Sequence, residues 1–260
     1  MRKTSINLYY NTNLDSKYKI DLIKDAGFDE FFTGVYDAHE TMSAIDQINY
    51  AKTLGLKCTM LHCSYTEKDL NDFWFDNEIG DRVFDSYAEQ IRSHKGLMDN
   101  FVVHLNGSFN SPITEFGLER IRQLLDICEE CETNLCIENL YSDEEIPYIF
   151  SNIEHPRLKI CFDTGHQNFL TPNFNVLKDY GQFVTVLHIH DNHGKTDEHI
   201  VCGEGTIDWE AFAKEIANYP NIVLSAEVKT NTDNKDTLIN NQIKAFRKLN
   251  SLISKYENKE

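Results

Sequence analysis

The sequence predicts one (β/α)₈ barrel spanning residues 1–260. Its length of 260 residues is about the usual size of such a barrel. Eight short apolar runs of β character alternate with eight longer amphipathic segments of helical spacing. No Pro/Gly/Ser-rich stretch interrupts this alternation, so a single domain is expected. Hydrophobic residues make up 41% of the chain, which is enough to fill a large core.

The predicted strands are Ser5–Tyr10, Glu30–Val35, Lys57–His62, Phe101–Leu105, Leu135–Asn139, Leu158–Asp163, Val184–His190 and Ile222–Glu227. The predicted helices are Lys17–Ala26, Ala38–Leu54, Asp81–Gly96, Glu115–Cys131, Glu144–Ile153, Phe174–Tyr180, Trp209–Ala217 and Asp236–Lys255. Gly27 and Gly55 are candidate helix C-caps, and Asp208 is a candidate N-cap. Alternating strands and helices predict parallel pairing, and eight units predict closure into a barrel.

The last six predicted strands carry ionisable side chains at their carboxyl ends, where buried parallel strands are normally apolar. These residues are His62, His104, Glu138, Asp163, His188 and Glu227. Because the carboxyl ends of barrel strands converge on one mouth, residues distant in sequence are expected to meet there. His166, Asp197 and His199 lie just beyond strand ends and are further candidates.

Histidine, aspartate and glutamate are the common ligands of divalent metals. Individually each residue has a simpler interpretation: a lone histidine is usually hydrogen-bonded, Glu138 could pair with Lys or Arg, and Asp163 could cap a helix. Asp197 and His199 alone could be solvated loop residues. Six successive strands with such side chains at one height favour a metal site instead. His190 is predicted to line the pocket, and His193 to be exposed, without ligand roles.

The net charge of −17 disfavours nucleic acid and anionic membranes as partners. No apolar run approaches the ~20 residues that a membrane span needs, and the N-terminus lacks the apolar core of a signal peptide. The seven cysteines show no CxxC spacing and three lie in apolar strand runs, which is typical of reduced, buried thiols. A cytoplasmic location is therefore expected.

Several segments, in order from about Ile6 to Glu227, resemble the xylose isomerase-like TIM barrel superfamily: IENL, FDTGH, LHIHDN followed by DEH, GEGTIDW and SAEVK. This superfamily includes sugar isomerases, ketose 3-epimerases, inositol-catabolism enzymes and metal-dependent apurinic-site endonucleases. The resemblance implies a core metal site of Glu138, Asp163, His188 and Glu227. The endonuclease branch has a three-zinc cluster, whose added positions map onto His62, His104, His166, Asp197 and His199.

The resemblance implies a sugar isomerase or epimerase with one divalent ion (Mn²⁺, Mg²⁺, Co²⁺ or Zn²⁺), up to three being possible. Glu138 and Glu227 would transfer a proton next to a carbonyl through a metal-stabilised enediolate, and His166 would orient the substrate. The alternative is a zinc-dependent endonuclease cutting at abasic sites. A catalytically inactive barrel that binds a sugar or metal is a third hypothesis.

Other features bear on the substrate. Ketose 3-epimerases tend to carry an arginine shortly after the strand-seven histidine, where this chain has only Lys195, and this puts 3-epimerisation of a free ketose in doubt. No Gly-rich phosphate loop is found. Phe73, Trp74 and Phe75 are expected to form a lid, a subunit contact or a cover over the barrel rim. A small sugar-like partner and a homo-oligomer are expected.

Overall fold

The computed structural model describes residues 1–11, 13–35, 40–109, 111–230 and 237–257. Eight parallel strands form one sheet in the order β7-β6-β5-β4-β3-β2-β1-β8. The strands are β1 Thr4–Asn7, β2 Glu30–Gly34, β3 Lys57–His62, β4 Asn100–Val103, β5 Asn134–Glu138, β6 Leu158–Asp163, β7 Val184–His188 and β8 Leu224–Ala226.

The sheet closes between its two outer strands, β7 and β8. Ile189 and Ala226 form a parallel bridge just beyond the end of β7. The Ile189 amide donates to the carbonyl of Ser225 at 2.8 Å, and the Glu227 amide donates to the carbonyl of Ile189 at 3.0 Å. The predicted (β/α)₈ barrel is therefore confirmed, with a short seam at this junction.

The helices are α1 Ser16–Ala26, α2 Ala44–Thr53, α3 Glu78–Ser93, α4 Glu115–Cys131, α5 Glu145–Asn152, α6 Thr164–Phe169, α7 Val176–Tyr180, α8 Trp209–Ile216 and α9 Thr237–Glu257. Short 3₁₀ helices are formed by Leu8–Tyr10, Glu67–Trp74 and Gly181–Phe183. The predicted start of the second helix at Ala38 and of the last at Asp236 lie outside the described residues. In the described part, α2 begins only after Ser43, whose side chain accepts from the Asp46 amide.

Local capping follows from the sequence as predicted. Gly27 ends α1 in the left-handed conformation, at φ 88°, which glycine adopts without steric cost. Asp208 accepts hydrogen bonds from the amides of Glu210 and Ala211 and so begins α8. The short helix α6 was not predicted. Its N-cap is Asp163, whose side chain accepts from the His166 amide at 2.7 Å.

The core has two parts because strand side chains alternate between the barrel interior and the helix layer. A small interior cluster consists of Phe32, Met60, Val102, Cys136, Cys161 and Val186. A much larger cluster lies between strands and helices. All seven cysteines are buried and none forms a disulfide, as expected for reduced thiols.

The aromatic segment after β3 covers the barrel rim. Phe73 and Trp74 are fully buried, and the Trp74 indole donates to the carbonyl of Leu105 at 2.7 Å. Trp74 fits against α4 because residue 117 is glycine: a Cβ there would lie 2.1 Å from the Trp74 ring. The segment was predicted to form a lid, a subunit contact or a cover over the rim. Its buried side chains form the cover, and Phe75 remains 42% exposed.

Candidate metal centre at the barrel mouth

Four side chains from consecutive strands converge at the mouth. Glu138, Asp163 and His188 are the last residues of β5, β6 and β7, and Glu227 directly follows β8. One candidate ligand atom from each of the four lies within 4.8 Å of the others. His188 Nδ1 is 3.1 Å from Glu138 Oε1, 3.4 Å from Glu227 Oε2 and 3.9 Å from Asp163 Oδ2.

This arrangement fits a divalent cation. With metal–ligand distances of about 2.1 Å, ligand atoms around a tetrahedral ion lie about 3.4 Å apart, close to the observed separations. Each of the four residues is at most 6% exposed. Asp163 Oδ2 is buried and has no hydrogen-bond partner among the described residues. A buried carboxylate oxygen without a donor is costly unless a cation compensates it.

Neighbouring residues fix the orientation of these side chains. The His188 ring stacks on the rings of Phe32 and His62, at centroid distances of 5.1 and 5.6 Å. The side-chain amide of Asn139 holds the Asp163 backbone. Its Oδ1 accepts from the Asp163 amide at 2.7 Å, and its Nδ2 donates to the Asp163 carbonyl at 2.9 Å. Glu138 pairs only with histidines among the described residues, so the predicted alternative of a Lys or Arg partner is not adopted.

A triangle of ligand-type atoms adjoins this group on the side of β3 and β4. His104 Nε2 lies 2.9 Å from Glu138 Oε2, and His62 Nε2 lies 3.3 Å from the same oxygen. The two histidine nitrogens are 3.3 Å apart. These separations also match those of ligands around one ion. The two predicted strand-end histidines therefore both lie beside Glu138.

On the opposite side, three imidazoles surround the carboxylate of Asp197. His199 Nε2 is 2.8 Å from Asp197 Oδ2, His166 Nε2 is 3.7 Å from the same atom, and His190 Nε2 is 3.5 Å from Oδ1. His199 has a φ of 51°, a strained value for a residue with a side chain. The structure thus gathers all nine predicted ligand candidates at one mouth.

His190 differs from its prediction. It was expected to line the pocket, but it is fully buried and does not line the cavity. Its Nε2 lies 3.1 Å from Asp163 Oδ1, inside the cluster. The His190 ring fits here because residue 165, in the FDTGH segment, is glycine and has no side chain. His193, expected to be exposed, has a 54% exposed side chain.

Tyr9 is a residue of the cluster that the sequence analysis did not single out. Its hydroxyl donates to Glu227 Oε1 at 2.7 Å. Burial, together with the neighbouring carboxylates, raises the pKa of Tyr9 well above its usual value, so this hydroxyl keeps its proton. Tyr9 is therefore a permanent donor to Glu227.

The glutamates and histidines of the cluster shift one another's pKa values. Burial alone would raise the pKa of Glu138, but His188 and His104 hold it well below its usual range. Burial similarly opposes ionisation of Glu227, yet His188 and His199 lower its pKa. Burial disfavours the charged form of His188, but Glu138 and Glu227 raise the pKa of this imidazole to about 9. Both glutamates are thus carboxylates at neutral pH, in the state that binds cations.

Above the cluster lies a cavity of about 610 Å³. Glu138, His166 and Glu227 reach its floor, and its walls include Tyr65, Leu140, Tyr141, Phe169 and Leu170. Lys229 is the only Lys or Arg among the described residues that line it. Lys195, considered as a substitute for an epimerase arginine, is exposed and is not a lining residue.

Comparison with known proteins identifies the family. Residues 20–249 match the xylose isomerase-like TIM barrel family, and the chain belongs to it. An uncharacterized protein of Sinorhizobium fredii strain NGR234, y4fM, is 31% identical over 238 residues, covering 77% of this chain and 76% of that protein. Among the described residues, no helix is long and apolar enough to cross a membrane.

Two solved structures illustrate the shared fold. A D-psicose 3-epimerase from Clostridium cellulolyticum H10, solved with D-tagatose, superposes with a TM-score of 0.70 at 18% identity, covering 98% of this chain and 95% of that one. An L-ribulose 3-epimerase superposes with a TM-score of 0.76 at 13% identity, covering 99% and 97%.

Proposed function

We propose that this protein is a divalent-metal-dependent isomerase or epimerase that moves a proton next to the carbonyl of an uncharged sugar or sugar derivative. The observation that carries the proposal is the placement of two ionised glutamates, Glu138 and Glu227, on either side of His188 at the floor of the cavity. The epimerase structures that share the fold, one of them solved with a ketose, are consistent with it.

Glu138, Asp163, His188 and Glu227 would hold the ion, which is Mn²⁺, Mg²⁺, Co²⁺ or Zn²⁺ by the chemistry of the donor set. When bound, such an ion polarises a substrate carbonyl and favours loss of the adjacent C–H proton to give an enediolate.

The chain's own residues supply the proton transfer. One glutamate accepts the proton from carbon and the other returns one from the opposite side. Tyr9 holds Glu227 through Oε1, so the second oxygen of that carboxylate faces the cluster. His166 lies 3.2 Å from Glu138 Oε1 and lines the cavity, in a position to orient a substrate hydroxyl.

The cavity lining favours an uncharged substrate. Glu67, Glu138, Asp197 and Glu227 face it, with Lys229 as the one Lys or Arg among its described lining residues. A phosphate or carboxylate group would be repelled by these acids more than Lys229 would attract it. The faces of Tyr65 and Tyr141 suit the C–H surface of a sugar, and the carboxylates suit its hydroxyl groups.

The experiment is solvent deuterium incorporation into a panel of free ketoses and aldoses, with metal-loaded protein. Incorporation by the wild type, abolished in Glu138→Gln and in Glu227→Gln, is expected. Glu144→Gln is the matched control, since this residue is exposed and does not line the cavity. If both cluster variants keep substantial exchange activity, the two-glutamate proposal is wrong.

One observation favours the endonuclease as a second candidate: the triangle of His62, His104 and Glu138 has the spacing of a further metal site. Cleavage of an oligonucleotide containing an abasic site, measured at physiological salt, distinguishes the two functions. The net charge of −17 predicts no cleavage, because phosphodiester backbones are repelled by such a surface. Robust cleavage would replace the isomerase proposal.

A further inference from the structure

We infer that Asn106, in the loop that follows β4, binds a hydroxyl group of the substrate at a position remote from the reacting carbon. Asn106 lines the cavity above the candidate metal centre. The identity of the bound group rests on the proposed function, because a sugar-like substrate supplies the hydroxyl. Neither the strand-end pattern nor the family resemblance selects this residue.

The side-chain oxygen of Asn106 lacks a protein partner. Asn106 is 1% exposed, and its Oδ1 is buried without a hydrogen-bond partner among the described residues. Glu138, at the floor of the same cavity, is also 1% exposed, so such burial is compatible with contact to a ligand there. A buried amide that makes no hydrogen bond destabilises the folded protein. A ligand in the cavity would supply the missing bond.

The backbone on both sides of Asn106 is held by the segment that follows β3. The Trp74 indole donates to the carbonyl of Leu105, the preceding residue, at 2.7 Å. The amide of Gly107, the following residue, donates to Asn71 Oδ1 at 2.8 Å. The position of Asn106 is therefore fixed by two side chains that belong to the cover over the barrel rim.

These hydrogen bonds extend one residue further in each direction. The Tyr87 hydroxyl donates to the carbonyl of His104 at 2.7 Å, and Asn71 Nδ2 donates to Ser108 Oγ at 2.8 Å. The loop cannot carry Asn106 to a partner elsewhere without breaking these bonds. Its amide is thus held in place before the substrate binds, which lowers the entropy cost of recognition.

The location of Asn106 indicates which part of the substrate it contacts. His104, two residues earlier, lies in the cluster, with its Nε2 2.9 Å from Glu138 Oε2. Two residues of chain span at most about 7 Å. Asn106 is therefore near enough to contact a substrate that reacts at Glu138, but it lies beyond His104. A hydroxyl away from the reacting carbon fits this position.

The chemistry of the amide favours a hydroxyl over other groups. A primary amide is uncharged and has both donors and an acceptor, and a hydroxyl likewise donates and accepts. The unpaired Oδ1 needs a donor, which a carbonyl or an ether oxygen does not supply. If the amide rotates by 180° and exposes its NH₂ group instead, a hydroxyl still satisfies it as an acceptor.

The kinetic test compares Asn106→Leu with the wild type, since leucine keeps the branched shape and removes the hydrogen-bonding atoms. Deuterium exchange is measured on the most reactive sugar of the panel and on each of its monodeoxy derivatives. With the parent sugar, kcat/KM should fall about 10–100-fold, the usual range for leaving one hydrogen-bonding group unpaired. On one derivative, the variant and the wild type should agree within about threefold.

Asn218→Leu makes the same change at an exposed position outside the cavity and should equal the wild type throughout. An equal loss on every derivative in Asn106→Leu, or no loss with the parent sugar, would overturn the inference.

The urea-unfolding midpoint separates substrate recognition from a structural role. Because Asn106 Oδ1 has no bond to lose within the described residues, Asn106→Leu should unfold at an equal or higher urea concentration than the wild type. Asn71→Leu, which removes the bonds to Gly107 and Ser108, should unfold at a lower one. A clearly lower midpoint for Asn106→Leu would show that Asn106 holds the loop, and the inference would be wrong.

Binding of alditols separates this inference from the proposed function, since an alditol has hydroxyl groups and no carbonyl. The side-chain amide resonances of Asn106 in asparagine-labelled protein are identified by their loss in Asn106→Leu. They should shift when xylitol, D-glucitol or D-mannitol is added. No shift with any of the three would overturn the inference, whatever the catalytic activity. A shift in a wild type that exchanges no deuterium would refute the isomerase proposal and leave hydroxyl recognition by Asn106 standing.

Discussion

The His190 imidazole packs directly against Gly165 and leaves no room for a side chain at position 165. A Cβ there would lie 1.9 Å from the imidazole Cε1. The two residues follow different strands, β6 and β7, and meet because these strands pair in parallel. Their contact explains why the segment after Asp163 contains glycine directly before His166.

Gly165→Ala is therefore expected to destabilise the protein by about 1–3 kcal/mol, the usual cost of overpacking a filled core. It should also weaken cation binding, because the His190 ring, which contacts Asp163, must move. Denaturant unfolding and Mn²⁺ titration measure the two effects. The control is the double variant Gly165→Ala/His190→Ala: removing the ring should recover part of the lost stability. Strict additivity of the two changes would contradict the contact.

Tyr9→Phe is expected to lower the catalytic rate about tenfold or more, because a hydrogen bond to a charged group contributes about 1.5–3 kcal/mol. Loss of the 2.7 Å bond to Glu227 should also raise the pKa of that carboxylate and move the acidic limb of the pH–rate profile to higher pH. The measurement is kcat against pH on the substrate identified by deuterium exchange. Tyr141→Phe, on the same cavity wall, should leave the acidic limb in place. An unchanged acidic limb in Tyr9→Phe would argue that Tyr9 does not act through Glu227.

We expect the free energy of unfolding to depend on pH because of Glu145. Its carboxylate is buried, neither oxygen has a hydrogen-bond partner among the described residues, and burial raises its pKa from 4.5 to about 8. Below pH 4.5 the group is protonated in both folded and unfolded chains. As the pH rises from there towards 8, only the unfolded chain releases the proton, so stability falls by about 1.4 kcal/mol per pH unit from this group.

Glu145→Gln should remove that dependence. The stability of the variant relative to wild type should increase between pH 4.5 and 8 and become constant above this range. Urea unfolding at pH 5, 6.5 and 8.5 measures the effect, with the exposed neighbour changed in Glu144→Gln as control. A difference between Glu145→Gln and wild type that does not vary with pH would show that Glu145 is not held neutral.

Asp191 fixes the loop that carries Asp197 and His199. Its buried carboxylate accepts hydrogen bonds from the amides of Gly203 and Ile207 and from the Trp209 indole, at 2.9, 3.2 and 2.8 Å. Asp191→Asn replaces one acceptor oxygen by an NH₂ group among donors, and a destabilisation of about 2–4 kcal/mol is expected.

Cation affinity should fall with stability in Asp191→Asn, since the loop supplies a carboxylate and an imidazole to the cluster. Calorimetric Mn²⁺ titration alongside thermal unfolding tests both effects. Asp208→Asn is a suitable comparison, because it keeps a side chain that can cap α8 on the same loop. Unaltered stability in Asp191→Asn would mean that the GEGTIDW segment holds its shape without this carboxylate.

The strand-end residues could be predicted from sequence because parallel barrel strands place their carboxyl ends together, whatever the loops do. Asp163 ends β6 in both the prediction and the structure, whereas β5 and β7 end at Glu138 and His188, one and two residues before their predicted ends. The short helix α6 was missed because its six residues carry too little periodicity, and its cap, Asp163, was assigned to the metal site. The Asp163 side chain caps α6, and its role as a metal ligand stays a prediction.

Other features depend on contacts that a linear pattern does not contain. Burial of Trp74 requires a glycine at position 117 of another helix, and the position of His190 requires Gly165. Tyr9 lies in a 3₁₀ turn after a short β1, where a continuous strand was predicted, so its approach to Glu227 was not foreseen. The metal-ligand and catalytic roles, the single-domain extent and the homo-oligomer stay predictions.

Because the cysteines are buried, alkylation of their thiols reports on unfolding. Burial raises the pKa of Cys58 and Cys136 to about 12, so neither forms the reactive thiolate at neutral pH while the barrel is closed. Cys136 lies inside the barrel, whereas Cys128 lies in the helix layer outside it. The order in which alkylating reagents reach these thiols would therefore show which of the two layers opens first.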